Sequence, residues 1–298
     1  MSSSKSEDQD QTEILIDDVP HEEKNEVPHG GKKIDKYIVS PNIECIVTLS
    51  KEDKSIVVWT VTKTFTKDLI VKYDCSLNFN DLERALNFDS FCKNPDFKFE
   101  SLFSDYRTLA GISDCKHVII RVGTNDFEMN FAIIDITTQL RQVLSAQGLE
   151  GYIDSIAFLE NGDLAIVKGE PVYRAYLFSK SNSSGNHKWN CNNSIELEKS
   201  TYLKTCRISK KRKLFMGFSM PFVVTQWDLI TRKFDMQYIL NWDLIPKNLD
   251  NLKIELNGDN TLLAMVCNTL EDNSVVYIYL TKSGMMVANS RYFLCKII

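Results

Sequence analysis

The chain has 298 residues, a formal net charge of −5, 43% hydrophobic and 25% charged residues, 12 glycines and 7 prolines. That length suits one large domain or two ordinary ones, and the apolar share excludes a wholly disordered or collagen-like chain. The mildly acidic balance argues against a nucleic-acid surface, which needs clustered Lys and Arg, and no apolar run approaches the ~18 residues of a membrane-spanning helix.

Residues 1–32 carry nine acids against Lys5, Lys24 and Lys32 and have no Phe, Tyr or Trp. Such a composition cannot offset the entropy of ordering, so an acidic, disordered tail is expected. Its first dozen residues are polar, with no apolar segment of a secretory signal. A cytoplasmic location with reduced thiols is therefore expected, nuclear entry being the weaker alternative. Inside the tail, Ile14, Leu15 and Ile16 precede Asp17 and Asp18. A peptide of this kind can add a strand to a partner's sheet edge while its acids meet a basic rim, as in SUMO-interacting motifs, which it resembles. A chance triplet, or a strand that completes the fold, is the plainer alternative.

Short strands then follow one another. Residues 36–42, 45–50 and 56–61 form the first unit, with a turn at 51–55. An insertion at about 74–102 holds a short capped helix over 80–86. It is rich in Phe (Phe79, Phe88, Phe91, Phe97, Phe99), rings that either pack on the fold or form a partner groove. Strands are read next at 109–113, 118–122 and 127–135, then at 155–159, 164–168 and 173–178. Further on come 205–209, 213–218, 222–228 and 234–240, then 252–256, 262–267, 275–280 and 285–288, before an apolar run at 292–298. Aligned on the first turn of each unit, Ser113, Asn161, Ser209 and Asn257 recur every 48 residues. Asn-Gly-Asp in two of these turns is suited to the left-handed backbone of tight hairpins.

A repeat of four antiparallel strands at roughly 40–50 residues is the signature of one propeller blade. One such sheet cannot bury both faces alone, whereas sheets packed around an axis can. The chain is therefore expected to be all-β, a β-propeller of about five blades at 34–73, 103–150, 151–198, 199–246 and 247–290. An incomplete ring is favoured over a closed one, because the apolar run at 292–298 lacks an evident partner strand. A β-sandwich is the alternative, but its strands do not recur in sets of four.

Particular residues carry a resemblance to WD40 repeats. Ser40-Pro41-Asn42, Asp53-Lys54-Ser55 and Trp59 stand where that family has its inner turn, its next turn and the end of its third strand, and Trp227-Asp228 matches its terminal dipeptide. The likeness extends over residues 34–290, with degenerate repeats. The family's Gly-His dipeptide occurs in no unit, so the Asp-His-Ser-Trp hydrogen-bond network of typical blades is expected to be missing. The first blade is also similar to a large, uncharacterised fungal propeller family, which brings no activity with it.

Residues 33–298 are thus expected to form a non-enzymatic scaffold for protein or peptide partners, binding neither nucleic acid nor membrane. The alternatives are an enzyme or small-ligand binder with its site in the central channel, and a fragment of a longer propeller protein. Trp189, in a polar loop at 179–193, is a candidate binding anchor if exposed; the other reading is that it tucks against its blade. Lys210-Lys211-Arg212-Lys213 reads as a solvated hairpin turn rather than an import signal. The four histidines and eight cysteines show no catalytic or metal-ligand spacing, so no catalytic, cofactor or metal residue is assigned. Asp154 and Glu100, near the starts of inner strands, are the carboxylates to inspect if the channel is a site, and neither is given a role.

Overall fold

A computed structural model describes residues 27–64, 68–86, 108–122, 130–149, 153–169, 172–181, 188–197, 203–219, 222–239, 249–269 and 273–293. Ile14, Leu15 and Ile16, Glu100, the phenylalanines of the insertion beyond Phe79, and the run from residue 294 lie outside them.

The described residues form five four-stranded antiparallel sheets, each in simple sequence order. The first holds β1 (Lys36–Val39), β2 (Cys45–Ser50), β3 (Ser55–Lys63) and β4 (Leu69–Leu77). The second holds β5 (Leu109–Ile112), β6 (His117–Val122), β7 (Asn130–Asp135) and β8 (Leu140–Val143). The third is β9 (Ile153–Phe158), β10 (Leu164–Lys168), β11 (Arg174–Lys180) and β12 (Trp189–Glu196). The fourth is β13 (Leu203–Ile208), β14 (Lys213–Ser219), β15 (Phe222–Asp228) and β16 (Lys233–Ile239), and the fifth β17 (Leu249–Leu256), β18 (Leu262–Thr269), β19 (Asn273–Leu280) and β20 (Met286–Phe293). This is the propeller-type architecture expected of the repeat.

One turn recurs between the first and second strands of every sheet. The N–H of Ile43, Lys116, Gly162, Arg212 and Asn260 donates to the carbonyl three residues earlier, on Ser40, Ser113, Leu159, Ser209 and Asn257. Each donor residue has a positive φ, between 59° and 84°. This geometry corrects two details. The equivalent of Ser113 in the third sheet is Leu159, not Asn161, so successive steps from Ser113 are 46, 50 and 48 residues rather than a constant 48. In Asn257-Gly258-Asp259 the left-handed residue is the following Asn260, not the glycine.

The third and fourth strands share a second device. A β-bulge lies at the same register position in four sheets, beside Trp59, Phe178, Trp227 and Tyr279. In the second sheet Ile134 holds that position and the ladder is regular. The extra residue increases local twist. In the first and fourth sheets the ring of Tyr73 or Phe234 meets its tryptophan edge-on at that point, with centroids 6.2 and 5.7 Å apart.

Successive first strands β1, β5, β9, β13 and β17 adjoin one another. Four apolar clusters fill the spaces between consecutive sheets, and among the described residues none joins the first sheet to the fifth. Each fully buried Leu, Ile, Val or Phe contributes about 1.5–3 kcal/mol. The helix of the insertion, α1 (Phe79–Leu86), is capped by Asn78, whose Oδ1 accepts the Asp81 N–H at 3.0 Å. It sends Leu82 and Leu86 into the cluster between the first and second sheets.

The expected absence of a histidine network is overturned. Residues Pro28–Gly31 form a 3-10 turn against the first sheet, and His29 is 3% exposed. Its Nδ1 lies 2.6 Å from Ser55 Oγ and its Nε2 2.7 Å from Thr48 Oγ1, to which Trp59 Nε1–H also donates at 2.8 Å. Thr48 spends its own hydrogen on Val57 O at 3.3 Å. That donor count assigns the proton to Nε2 and leaves Nδ1 to accept from Ser55. The network escaped the sequence reading because its histidine precedes glycine rather than following it and lies in the stretch taken as tail.

Candidate functional site

Two features can meet a partner, and the first is the end of the molecule that gathers the five recurring turns. Asn42 donates from its backbone and side chain to the two Asp114 carboxylate oxygens, at 3.1 and 3.0 Å, and its side chain also reaches Glu160 O at 3.5 Å. The Glu160 N–H donates to Lys210 O at 3.1 Å, and Lys210 Nζ lies 3.4 Å from the Glu160 carboxylate. Lys211 Nζ completes the series by donating to Asp259 O at 2.7 Å. Every sheet thus contributes its turn to one bonded array. The Lys210-Lys211-Arg212-Lys213 stretch is part of it as a tight turn, with Arg212 at φ 65°.

The second feature is a pair of equivalent clefts between neighbouring sheets. One, of about 460 Å³, lies between the fourth and fifth sheets. There Lys213 bridges Asp228 and Asp235, both at 2.7 Å, while Gln226 donates to Asp235 at 3.0 Å and accepts from Tyr238 O–H. Burial pushes the Asp228 carboxyl up. The Lys213 ammonium and the N–H groups of Thr231 and Ile230 outweigh it and hold the group below its ordinary value. The other cleft, of about 430 Å³, lies between the second and third sheets and is lined by His117, Asp135, Arg141, Lys180, Lys188 and Trp189 among others.

Trp189 is not a free anchor. It opens β12 and is 5% exposed, its ring edge-on to His117 at 5.6 Å and tilted against Phe158 at 5.8 Å. Gln142 clamps its backbone, donating to Trp189 O at 2.6 Å and accepting from Trp189 N–H at 2.5 Å. Tryptophan in a polar stretch signals burial as readily as exposure, and here the neighbouring sheet offered a pocket.

Ser113, His117 and Asp135 lie in a row that imitates a hydrolase triad, with Ser113 Oγ 3.1 Å from His117 Nδ1 and His117 Nε2 3.8 Å from Asp135 Oδ2. The serine performs a turn function instead. Its Oγ accepts the His117 N–H at 3.0 Å, as Ser40 Oγ accepts that of Cys45 at 2.9 Å and Ser209 Oγ that of Lys213 at 3.1 Å. The device thus recurs where no histidine is present, and Ser113 is 2% exposed. Burial pushes the thiols of Cys45 and Cys75 up to about 11, which keeps them protonated at neutral pH. Among the described residues no group of three His, Cys, Asp or Glu is placed to hold a metal, and no helix is long and apolar enough to cross a membrane. Asp154 stands on β9 in a small cleft with Lys36 and Arg121, its carboxylate against Gly169, where any larger residue would collide with it.

No family model matches the chain, and no curated protein sequence does. Among solved structures, Hsv2 of Kluyvelomyces marxianus is 14% identical at a TM-score of 0.49, with 87% of this chain and 62% of that one covered. KlHsv2 with loop 6CD replaced by a Gly-Ser linker is 14% identical at 0.46, with 86% and 65% covered. The Dos1 propeller is 12% identical at 0.46, with 86% and 60% covered. The chain therefore spans less than two thirds of the length of each of the three.

Proposed function

We propose that the protein is a non-enzymatic interaction scaffold of the cytoplasm, whose bonded array of turns presents one rigid surface to a protein or peptide. The observation that supports this reading is the continuity of hydrogen bonds from Asn42 through Glu160 and Lys210 to Asp259. A partner that touches several turns at once finds them already ordered, so little conformational entropy is lost on binding. The array mixes Lys210 and Lys211 with Asp114, Glu160 and Asp259. Interspersed charges of both signs suit a protein surface better than a phosphate backbone. The triplet Ile14, Leu15 and Ile16 supplies a second, strand-adding contact in the same proposal.

The test is affinity purification from the protein's own cells with three baits: the full chain, a chain lacking residues 1–26, and a full chain carrying Lys211→Glu with Glu160→Lys. The truncation stops before Val27 so that His29 stays in place. Partners retained by the full chain and lost from the turn variant, at an unchanged melting temperature, support the platform. Loss on truncation assigns the contact to the tail instead. Retention of no protein, or undiminished retention by both variants, overturns the reading.

A further inference from the structure

Four of the five sheets pack on a following neighbour through the same positions. Across the recurring turn the N–H of Ser40, Ser113, Leu159, Ser209 and Asn257 donates to the carbonyl of Cys45, His117, Asp163, Lys213 and Leu262, which makes the five acceptors equivalent. Two residues further on stand Val47, Ile119, Ala165 and Phe215. Each is at most 1% exposed and lies in the cluster shared with the following sheet. The fifth sheet has Ala264 at this place, and it remains partly exposed.

The face around Ala264 is nonetheless apolar. Residues paired across antiparallel strands share a face, so three rows can be followed over β18, β19 and β20. Leu262 pairs with Leu280, whose N–H donates to Met285 O at 2.9 Å. Ala264 pairs with Ile278 and Ile278 with Ala288, while Val266 pairs with Val276 and Val276 with Ser290. Eight of these nine residues are apolar, none is fully buried, and Met285 is 58% exposed. The equivalents of Leu262 and Leu280 are His117 with Asp135 in the second sheet and Lys213 with Asp228 in the fourth. The fifth sheet thus carries an aliphatic face where, among the described residues, no sheet follows it. A solvated antiparallel face is ordinarily polar, and an apolar one of this extent calls for a cover.

The first sheet does not supply it. Its own face away from the second sheet, with Thr48 and Trp59, is occupied by residues 28–31 through His29. A second copy of the fifth sheet matches in shape and apolar character, and its charges match as well. On β17 the rows end in Glu255, beside Ala264, and in Lys253, beside Val266, both exposed. Glu255 pairs with Arg207 at 3.6 Å and keeps its side chain 61% exposed. A two-fold axis across the strands, set between these rows, places Lys253 of each copy opposite Glu255 of the other. The same axis lays Ala264 and Ile278 over Val266 and Val276. We propose that two copies of this chain pair through this face, fifth sheet against fifth sheet, as an isologous dimer.

The experiment is sedimentation equilibrium of the full chain from micromolar to submillimolar concentration. A mass that rises toward that of two copies is expected. Ala288→Arg, at an exposed position, weakens the dimer about tenfold or more, because it sets an unpaired charge in the apolar contact. Lys253→Glu also weakens it, and Lys253→Glu combined with Glu255→Lys restores the affinity, since the exchange keeps opposite charges facing. Tyr37→Arg, on the first sheet, leaves association unchanged. A monomer at every concentration overturns the proposal. So does a dimer that is indifferent to Ala288→Arg, not restored by the charge exchange, or broken by Tyr37→Arg. Dimerisation that appears only after removal of residues 1–26 assigns the face to that segment and overturns it too. None of these outcomes involves the array of turns, so the scaffold reading stands or falls separately.

Discussion

Burial holds the pKa of His29 below its ordinary 6.5, although Asp53 and Asp35 pull the other way. The unfolded chain therefore binds a proton more readily than the folded one. As pH falls through 6.5 toward the lowered value, the unfolded state gains protons first and the folded state loses relative stability. Urea unfolding between pH 7.5 and 5 should show this decline in the wild type and a flatter profile in His29→Asn, which keeps a polar group but has no titration. His29→Ala should cost about 1–3 kcal/mol at neutral pH, since Ser55 and Thr48 then lose a buried partner. An unchanged midpoint in that variant would mean the network contributes nothing. Residues of this kind were legible only in part. Trp59 and Ser55 stood out as WD40-like positions, but the histidine that joins them lies 26 residues from Ser55, and no local pattern reports such a pairing.

At the scale of the strand and turn, backbone geometry is more uniform than the residues that adopt it. The left-handed place in the five recurring turns is held by Ile43, Lys116, Gly162, Arg212 and Asn260. A β-branched side chain is the least suited of these, because its Cβ crowds the following carbonyl. Ile43 is 41% exposed, so only part of its side chain is buried in return. Ile43→Gly should therefore stabilise the protein by about 0.5–1.5 kcal/mol, whereas Gly162→Val should destabilise it by a similar amount; both are read from denaturation midpoints. Most of the strands and α1 could be read from apolar runs and turn residues. The bulges could not, for a bulge leaves no mark in hydrophobic alternation until the partner strand is known. Asp74 and Asp235 occupy two of them, and each is paired to a lysine, Lys116 or Lys213.

Across the molecule, stability resides in the contacts between sheets. Gly217 on β14 faces the fifth sheet, and a Cβ there would meet Leu252 at 2.7 Å and Thr205 at 2.8 Å. Gly217→Val should cost about 1–3 kcal/mol by overpacking that interface, seen as a lower melting temperature. The first sheet shows a different solution on its other side. Tyr37 and Val39 remain exposed at 70% and 39%, while residues 28–31 cover Thr48, Ser55 and Trp59. A chain starting at Lys33 should thus be less stable than one starting at Val27 by about 1–3 kcal/mol, and equal midpoints would show that the turn at Pro28–Gly31 is no part of the fold. The blade rhythm anticipated the stacking of sheets, but a plain count of residues could not place the cap.

Residue order by itself determined most of the strands and the repeat that stacks them, because those follow from periodicity and turn chemistry within short stretches; the fourth strands of the first three sheets, Leu69–Leu77, Leu140–Val143 and Trp189–Glu196, were not read, the last lying partly in the stretch expected to be a polar loop. Tertiary structure alone decided that Trp189 is buried, that His29 belongs to the first sheet, that five turns share one bonded array, and that Arg141, Lys180 and Lys188 line one cleft. Each of these depends on which side chains meet across different sheets, and the energy of a buried hydrogen bond or an ion pair is set by that meeting, not by spacing along the chain.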